Sequence, residues 1–151
     1  MKYIQIDDTI VALSTANANA AIAIIRISGE KSIEIVETFF KNKKPLSKAK
    51  ANRMLKGKIF SGDRFVDDVM VCVYRNPISY TGEDMVEIFC HGNLFIVDQV
   101  IQMCLTKARI AEPGEFTQRA YLNNKIDLTQ AEAINDLLKA QTKQSQRLAL
   151  E

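Results

Sequence analysis

Much of the usual equipment of catalysis is scarce in this chain. His91 is the only histidine among 151 residues. Alone it is a poor metal candidate, and no convincing Ser-His-Asp or Cys-His set can be assembled around it. The three cysteines, Cys72, Cys90 and Cys104, lie far apart in apolar surroundings with no Cys-x-x-Cys. That argues against a disulfide framework and a zinc site, and suits a reducing cytosol. No G-x-x-x-x-G-K-[S/T] run occurs, so the chain holds no phosphate-cradling P-loop. No apolar stretch approaches the roughly 18 residues of a membrane span, and the charged N-terminus lacks a signal-peptide core. Charge is nearly balanced, 20 basic against 18 acidic residues, for a net +2. Nucleic acid or an anionic membrane would therefore need a local patch. The expectation is a soluble, cytoplasmic chain with no membrane partner.

What is present is a core. Hydrophobic residues make up 47% of the chain, enough for one ordinary domain. Thr9 to Ser14 and Ala20 to Ser28 read as isoleucine-rich strands around a polar TANANA loop. A helix is expected over Lys31 to Asn42, burying Ile33, Val36, Phe39 and Phe40. Next comes a basic loop, KNKKPLSKAK from Lys41 to Lys50, which could touch RNA but, without interleaved aromatics, reads as a solvated loop. Arg53 to Phe60 and Phe65 to Tyr74 form a predicted hairpin about Ser61-Gly62-Asp63. Its Asp67-Asp68 pair is an unlikely metal site, because neighbouring strand residues face opposite ways. Asp84 to Cys90 is a further strand, and Asn93 caps a helix running to Lys107. Arg109 to Ala111 is a short strand.

Ala111 to Ala133 is the most specific stretch. Glu112-Pro113-Gly114 is turn chemistry. Glu115 to Leu122 follows as a short helix, with Phe116, Ala120 and Tyr121 at helical spacing and Gln118 and Arg119 outward. Asn123-Asn124-Lys125 ends it, since asparagine tolerates the left-handed region. Asp127 with Gln130 is a capping box for a helix from Leu128 that buries Ala131, Ile134 and Leu138. From Gln141 the pattern turns polar while staying helix-compatible. Altogether this is an α+β chain: a mixed, mostly antiparallel sheet with two to three helices, plus a further helix.

Three charges stand where charges are costly. Arg26 is the one charge in a strand apolar on both faces. It reaches solvent or a helix terminus, or aims its planar fork into a cleft for a carboxylate or phosphate. Glu87 is embedded mid-strand, either as a salt bridge to Arg26 or Lys125, or as a carboxylate receiving two parallel N–H donors from a heterocycle such as a pterin. Lys125 is held between two helices. His91, before glycine, reads as a hydrogen-bonded turn residue, or as a group at the ligand's edge. Such a set suits holding a polar, aromatic, anionic small molecule better than breaking bonds. No catalytic residue and no metal ligand is assigned.

ARIAEPGEFTQRAYLNNKIDLTQAEAINDLL closely resembles the end of the N-terminal (TrmE-N) domain of the MnmE/TrmE tRNA-modification GTPases. DTIVALSTANANAAIAIIRISG and SYTGEDMVEIFCHG agree with the same family, in its order. The resemblance implies a folate-binding-domain-like fold and dimerisation over residues 1–122, with 123–151 beginning a helical domain whose inserted GTPase domain lies outside this sequence. It implies 5-formyltetrahydrofolate as one-carbon donor, its contacts falling on Arg26 (in IIRISG), Glu87 (in GEDMVEI) and Lys125 (in LNNKIDL). It further implies a homodimer, an MnmG-like partner, and tRNA, modified at the wobble uridine U34, engaged through the full-length complex. GTP, Mg and K ions would belong to the parent protein and not to this stretch.

Two departures from the family pattern concern the pocket. Relatives carry a TP.G.GG loop where this chain reads TANANAA, residues 15 to 21, and HGG where it reads His91-Gly92-Asn93. Lost glycines remove left-handed freedom and add bulk. The rival readings are a structural dimerisation domain with a degenerate pocket and a stand-alone folate-dependent one-carbon transferase. For the second, Asp84 or His91 would be the only candidates to act on the one-carbon group.

Overall fold

The computed structural model describes residues 7–140 and 143–150. They divide into two compact units, Met1–Ser79 with Glu83–Ala111, and Tyr80–Gly82 with Glu112–Glu151.

The first unit is a sheet with two helices. Strands β1 (Ile10–Leu13) and β2 (Ala20–Ser28) precede helix α1 (Ser32–Glu37) and a two-residue strand β3 (Phe40–Lys41). The hairpin β4 (Met54–Ser61) and β5 (Arg64–Tyr74) leads to β6 (Met85–Gly92), helix α2 (Leu94–Cys104) and β7 (Arg109–Ile110). The strand order is β3-β4-β5-β6-β2-β1-β7. β1 and β7 run parallel, and every other neighbouring pair is antiparallel. This is the mixed, mostly antiparallel sheet that the strand pattern predicts.

Alternation decides the core. Ala23, Ile25 and Ile27 of β2, Val86, Ile88 and Cys90 of β6, and Val69, Val71 and Val73 of β5 form one buried cluster with Ile33 and Val36 of α1 and Val97, Val100 and Cys104 of α2. Side chains one residue out of phase therefore lie on the other face of the sheet. Cross-strand registration sets Arg26 opposite Glu87, and Glu87 opposite Cys72, on that second face. α2 starts where Asn93 accepts hydrogen bonds from the backbone N–H groups of Phe95 (2.9 Å) and Ile96 (3.2 Å).

The helix expected over Lys31 to Asn42 is shorter. It ends at Glu37, where Thr38 turns its hydroxyl back onto the Ile35 carbonyl at 2.6 Å. Phe39 and Phe40 are buried as expected, but Phe40 does so from an edge strand paired to Ile59. Gly57 makes room for it: a Cβ there would stand 2.3 Å from the Phe40 ring.

The second unit is helical: α3 (Glu115–Leu122), α4 (Leu128–Lys139) and α5 (Lys143–Leu150). Asn124 takes the left-handed conformation, φ 58°, between the first two. Asp127 and Gln130 complete a reciprocal capping box at 2.9 and 2.7 Å. Two expectations fail here. Arg119 is fully buried rather than outward, bonded one turn back to Glu115 at 3.3 Å. α4 buries none of its residues, and Leu138 is 81% exposed. Gln141 and Thr142, where the polar helical continuation was expected to begin, lie outside the described residues. No helix among the described residues is long and apolar enough to cross a membrane.

Candidate functional site

Arg26 and Glu87 come together. Arg26 donates from Nε (3.2 Å) and Nη2 (3.1 Å) to the same Glu87 oxygen, Oε2. The side chains keep 22% and 12% of their exposure, so the pair is shielded without being sealed. The salt bridge to Arg26 expected as one reading of Glu87 is formed. Sequence reasoning missed its neighbours on β5. Cys72 sits directly across from Glu87, and the Tyr74 phenol is held well above its usual range, first by burial and then by hydrogen bonds with Cys72 and Glu87. The signal was available: Cys72 and Tyr74 share the out-of-phase positions in the second half of β5, which is apolar after Asp67-Asp68.

Further along this face the lining turns apolar. Ile22, Met70 and Phe89 floor a shallow recess of about 260 Å³, with Lys56, Asp68 and His91 at its rim. His91 is not in a turn but near the end of β6. Its ring Nδ1 meets Asp67 Oδ1 at 2.7 Å, while its backbone N–H donates to Asp67 Oδ2 at 2.9 Å. Asp67 is buried and Asp68 exposed, the opposite faces expected of strand neighbours. Burial, and then the Asp67 charge, push the Cys90 thiol up to about 11. Gly92 has no room for a side chain, since a Cβ would fall 2.2 Å from the Ala20 carbonyl oxygen.

Both departures in the loop regions are put to use at the start of α2. Asn93 caps the helix, and Asn19 Oδ1 accepts from the Leu94 N–H at 3.1 Å. Asp84 accepts from the Asn76 N–H at 2.9 Å, a loop-bracing role.

Lys125 belongs to the second unit. Its backbone N–H donates to the Ala120 carbonyl at 2.8 Å, closing α3. Its stem lies against Gly82, where a Cβ would come within 3.2 Å of Lys125 Cγ, and the φ of 79° there favours glycine. The Tyr80–Gly82 strap is itself tied to α3. Tyr80 Oη meets Thr117 Oγ1 at 2.8 Å, and Asn123 Nδ2 donates to the Thr81 carbonyl at 2.8 Å. Lys125 is exposed on an open groove with Tyr121, Asn124 and Asp127.

Among the described residues, no group of three or more histidine, cysteine or acidic side chains is arranged to hold a metal ion. The family described as GTP-binding protein TrmE N-terminus matches residues 9–125, a span that takes in Arg26 and Glu87 and closes on Lys125. The chain belongs to this family.

Relatives within the TrmE family agree over nearly the whole chain. A tRNA modification GTPase MnmE of Alkaliphilus oremlandii is 49% identical over 150 residues, covering 96% of this chain and 32% of that protein. Those of Christiangramia forsetii and Bacillus subtilis are each 45% identical, over 97% and 95% of this chain and 32% of each relative. The chain thus spans about a third of the length of these relatives.

Proposed function

We propose that this chain is the 5-formyltetrahydrofolate-binding and dimerising part of a cytoplasmic GTPase that, with an MnmG-like partner, modifies the wobble uridine of certain tRNAs. In this reading the folate-binding region runs over residues 1–122, and 123–151 begins a helical domain. GTP, with Mg and K ions, is handled by the rest of the parent protein. The observation that carries the folate reading is the Arg26–Glu87 pair, a cross-strand pair partly open to solvent on the sheet face that also carries Ile22, Met70 and Phe89. A carboxylate so placed can accept from the amino-pyrimidinone edge of a pterin, and the guanidinium can meet a carbonyl or carboxylate. Phe89, Met70 and Ile22 offer the ring system an apolar bed. In this reading Lys125, by its place in the family motif LNNKIDL, is a further folate-binding cation. No residue of this chain is assigned a bond-breaking role.

One observation favours the second reading, a dimerisation domain with a degenerate pocket. Asn19 and Asn93 occupy the first amides of α2, a place the family's glycine-rich pattern would leave open. Calorimetric titration with 5-formyltetrahydrofolate separates the two. Micromolar binding, lost in both Arg26→Ala and Glu87→Ala, is the expected result. A folded, dimeric wild type that takes up no folate would establish the second reading instead. Turnover of bound folate would point to the stand-alone transferase.

A further inference from the structure

Charge is unevenly distributed along this nearly neutral chain. Between Glu37 and Asp63 no acidic residue occurs, while seven lysines and Arg53 do. That segment carries +8, so the remainder carries 2 − 8 = −6. All eight basic residues are exposed.

The fold gathers several of them. Lys41 of β3 stands directly opposite Lys58 of β4, and Lys56 lies two residues along on the same face. Like charges set across a strand pair oppose each other. Among the described residues only Lys58 of the eight forms an ion pair, to Asp68 at 2.7 Å.

The loop joining β3 to β4 is braced by side chains from outside it. Glu37 accepts from the Ser47 N–H at 3.1 Å, and Arg75 donates to the carbonyls of Ser47 (2.7 Å) and Ala49 (3.2 Å). Leu46 plugs the core with 2% exposure. Lys43, Lys44 and Lys48 are therefore presented from a fixed backbone, with their charge unspent inside the protein.

We propose that the β3–β4 edge and its connecting loop bind the phosphate backbone of RNA. A row of lysines without interleaved aromatic side chains neutralises phosphates irrespective of sequence. An anionic membrane fits less well. The loop's one large aliphatic side chain, Leu46, points inward, which removes the apolar anchor that membrane-surface segments use. The relatives are tRNA modification GTPases, so a structured RNA is the polyanion at hand.

The test is fluorescence anisotropy of this chain with an unmodified tRNA transcript, between about 50 and about 200 mM KCl. Wild type is compared with a Lys43→Glu/Lys44→Glu/Lys48→Glu variant, and with a control of equal charge change, Lys31→Glu/Lys107→Glu/Lys139→Glu. The expected result is saturable, salt-sensitive binding that falls about tenfold or more, with a shallower salt slope, in the first variant only. Circular dichroism establishes that both variants are folded. Absent binding by wild type, or equal losses in the two variants, would overturn the proposal. So would capture by vesicles of phosphatidylcholine with about one-third phosphatidylserine when tRNA is not bound.

Discussion

Two arginine–glutamate pairs in this molecule are chemically alike and physically opposite. Arg119 and Glu115 lie one turn apart on α3, with 0% and 3% side-chain exposure, and Glu115 also accepts from the Glu112 N–H at 2.9 Å. Arg26 and Glu87 are 61 residues apart in sequence and meet across β2 and β6 with 22% and 12% exposure. The helical pair is local, dry and committed to holding its own corner. The cross-strand pair depends on the whole sheet for its geometry and keeps one side within reach of a solute. Ion pairs near a binding surface are distinguished by access, not by distance: the two separations, 3.3 and 3.1 Å, hardly differ.

Removing one partner from each pair should expose the contrast. Arg119→Leu strands the Glu115 carboxylate in a dry site, and a loss of about 3–5 kcal/mol is expected in denaturant unfolding. Adding Glu115→Gln should restore much of it. A loss near that of a surface substitution would show that the corner hydrates readily. Arg26→Ala leaves Glu87 partly hydrated, so about 1–2 kcal/mol is expected, with the proposed folate binding, not stability, as the larger casualty. Lys58→Ala breaks the well-exposed pair to Asp68 and should leave the unfolding midpoint within measurement error. If the three losses failed to rank with burial, exposure would be the wrong axis for comparing these pairs.

Much of this was legible in the residues. β2 falls on the predicted span because its isoleucines alternate around a lone arginine between two turns. Asn93 and Asp127 cap their helices because side-chain oxygens there meet amides that nothing else satisfies. What was not legible depended on tertiary context. Arg119 reads as a surface residue by type, yet Glu115 one turn earlier was the available sign that the two could be buried together. The helix after Gly29 stops short because Phe40 packs from an extended edge against β4, with Phe39 buried in the turn before it. His91 lies in a strand because Asp67 binds both its ring and its backbone, a partnership between strands that spacing cannot disclose. The stripe on α4 has the right period without a burial partner among the described residues.

The parallel pairing of β1 with β7 also has a consequence for how the chain comes into being. Ile10 takes Arg109 as its partner, so β1 waits for nearly the last residue of its unit before its outer edge is paired. β4, β5 and β6 are neighbours in both sequence and space, and can zip together through short connections. β2 must then insert its apolar length between β6 and β1, closing a loop of more than half the unit. During synthesis β1 and β2 are therefore the described strands of this unit with sticky edges longest exposed. Folding of this unit is gated by its end.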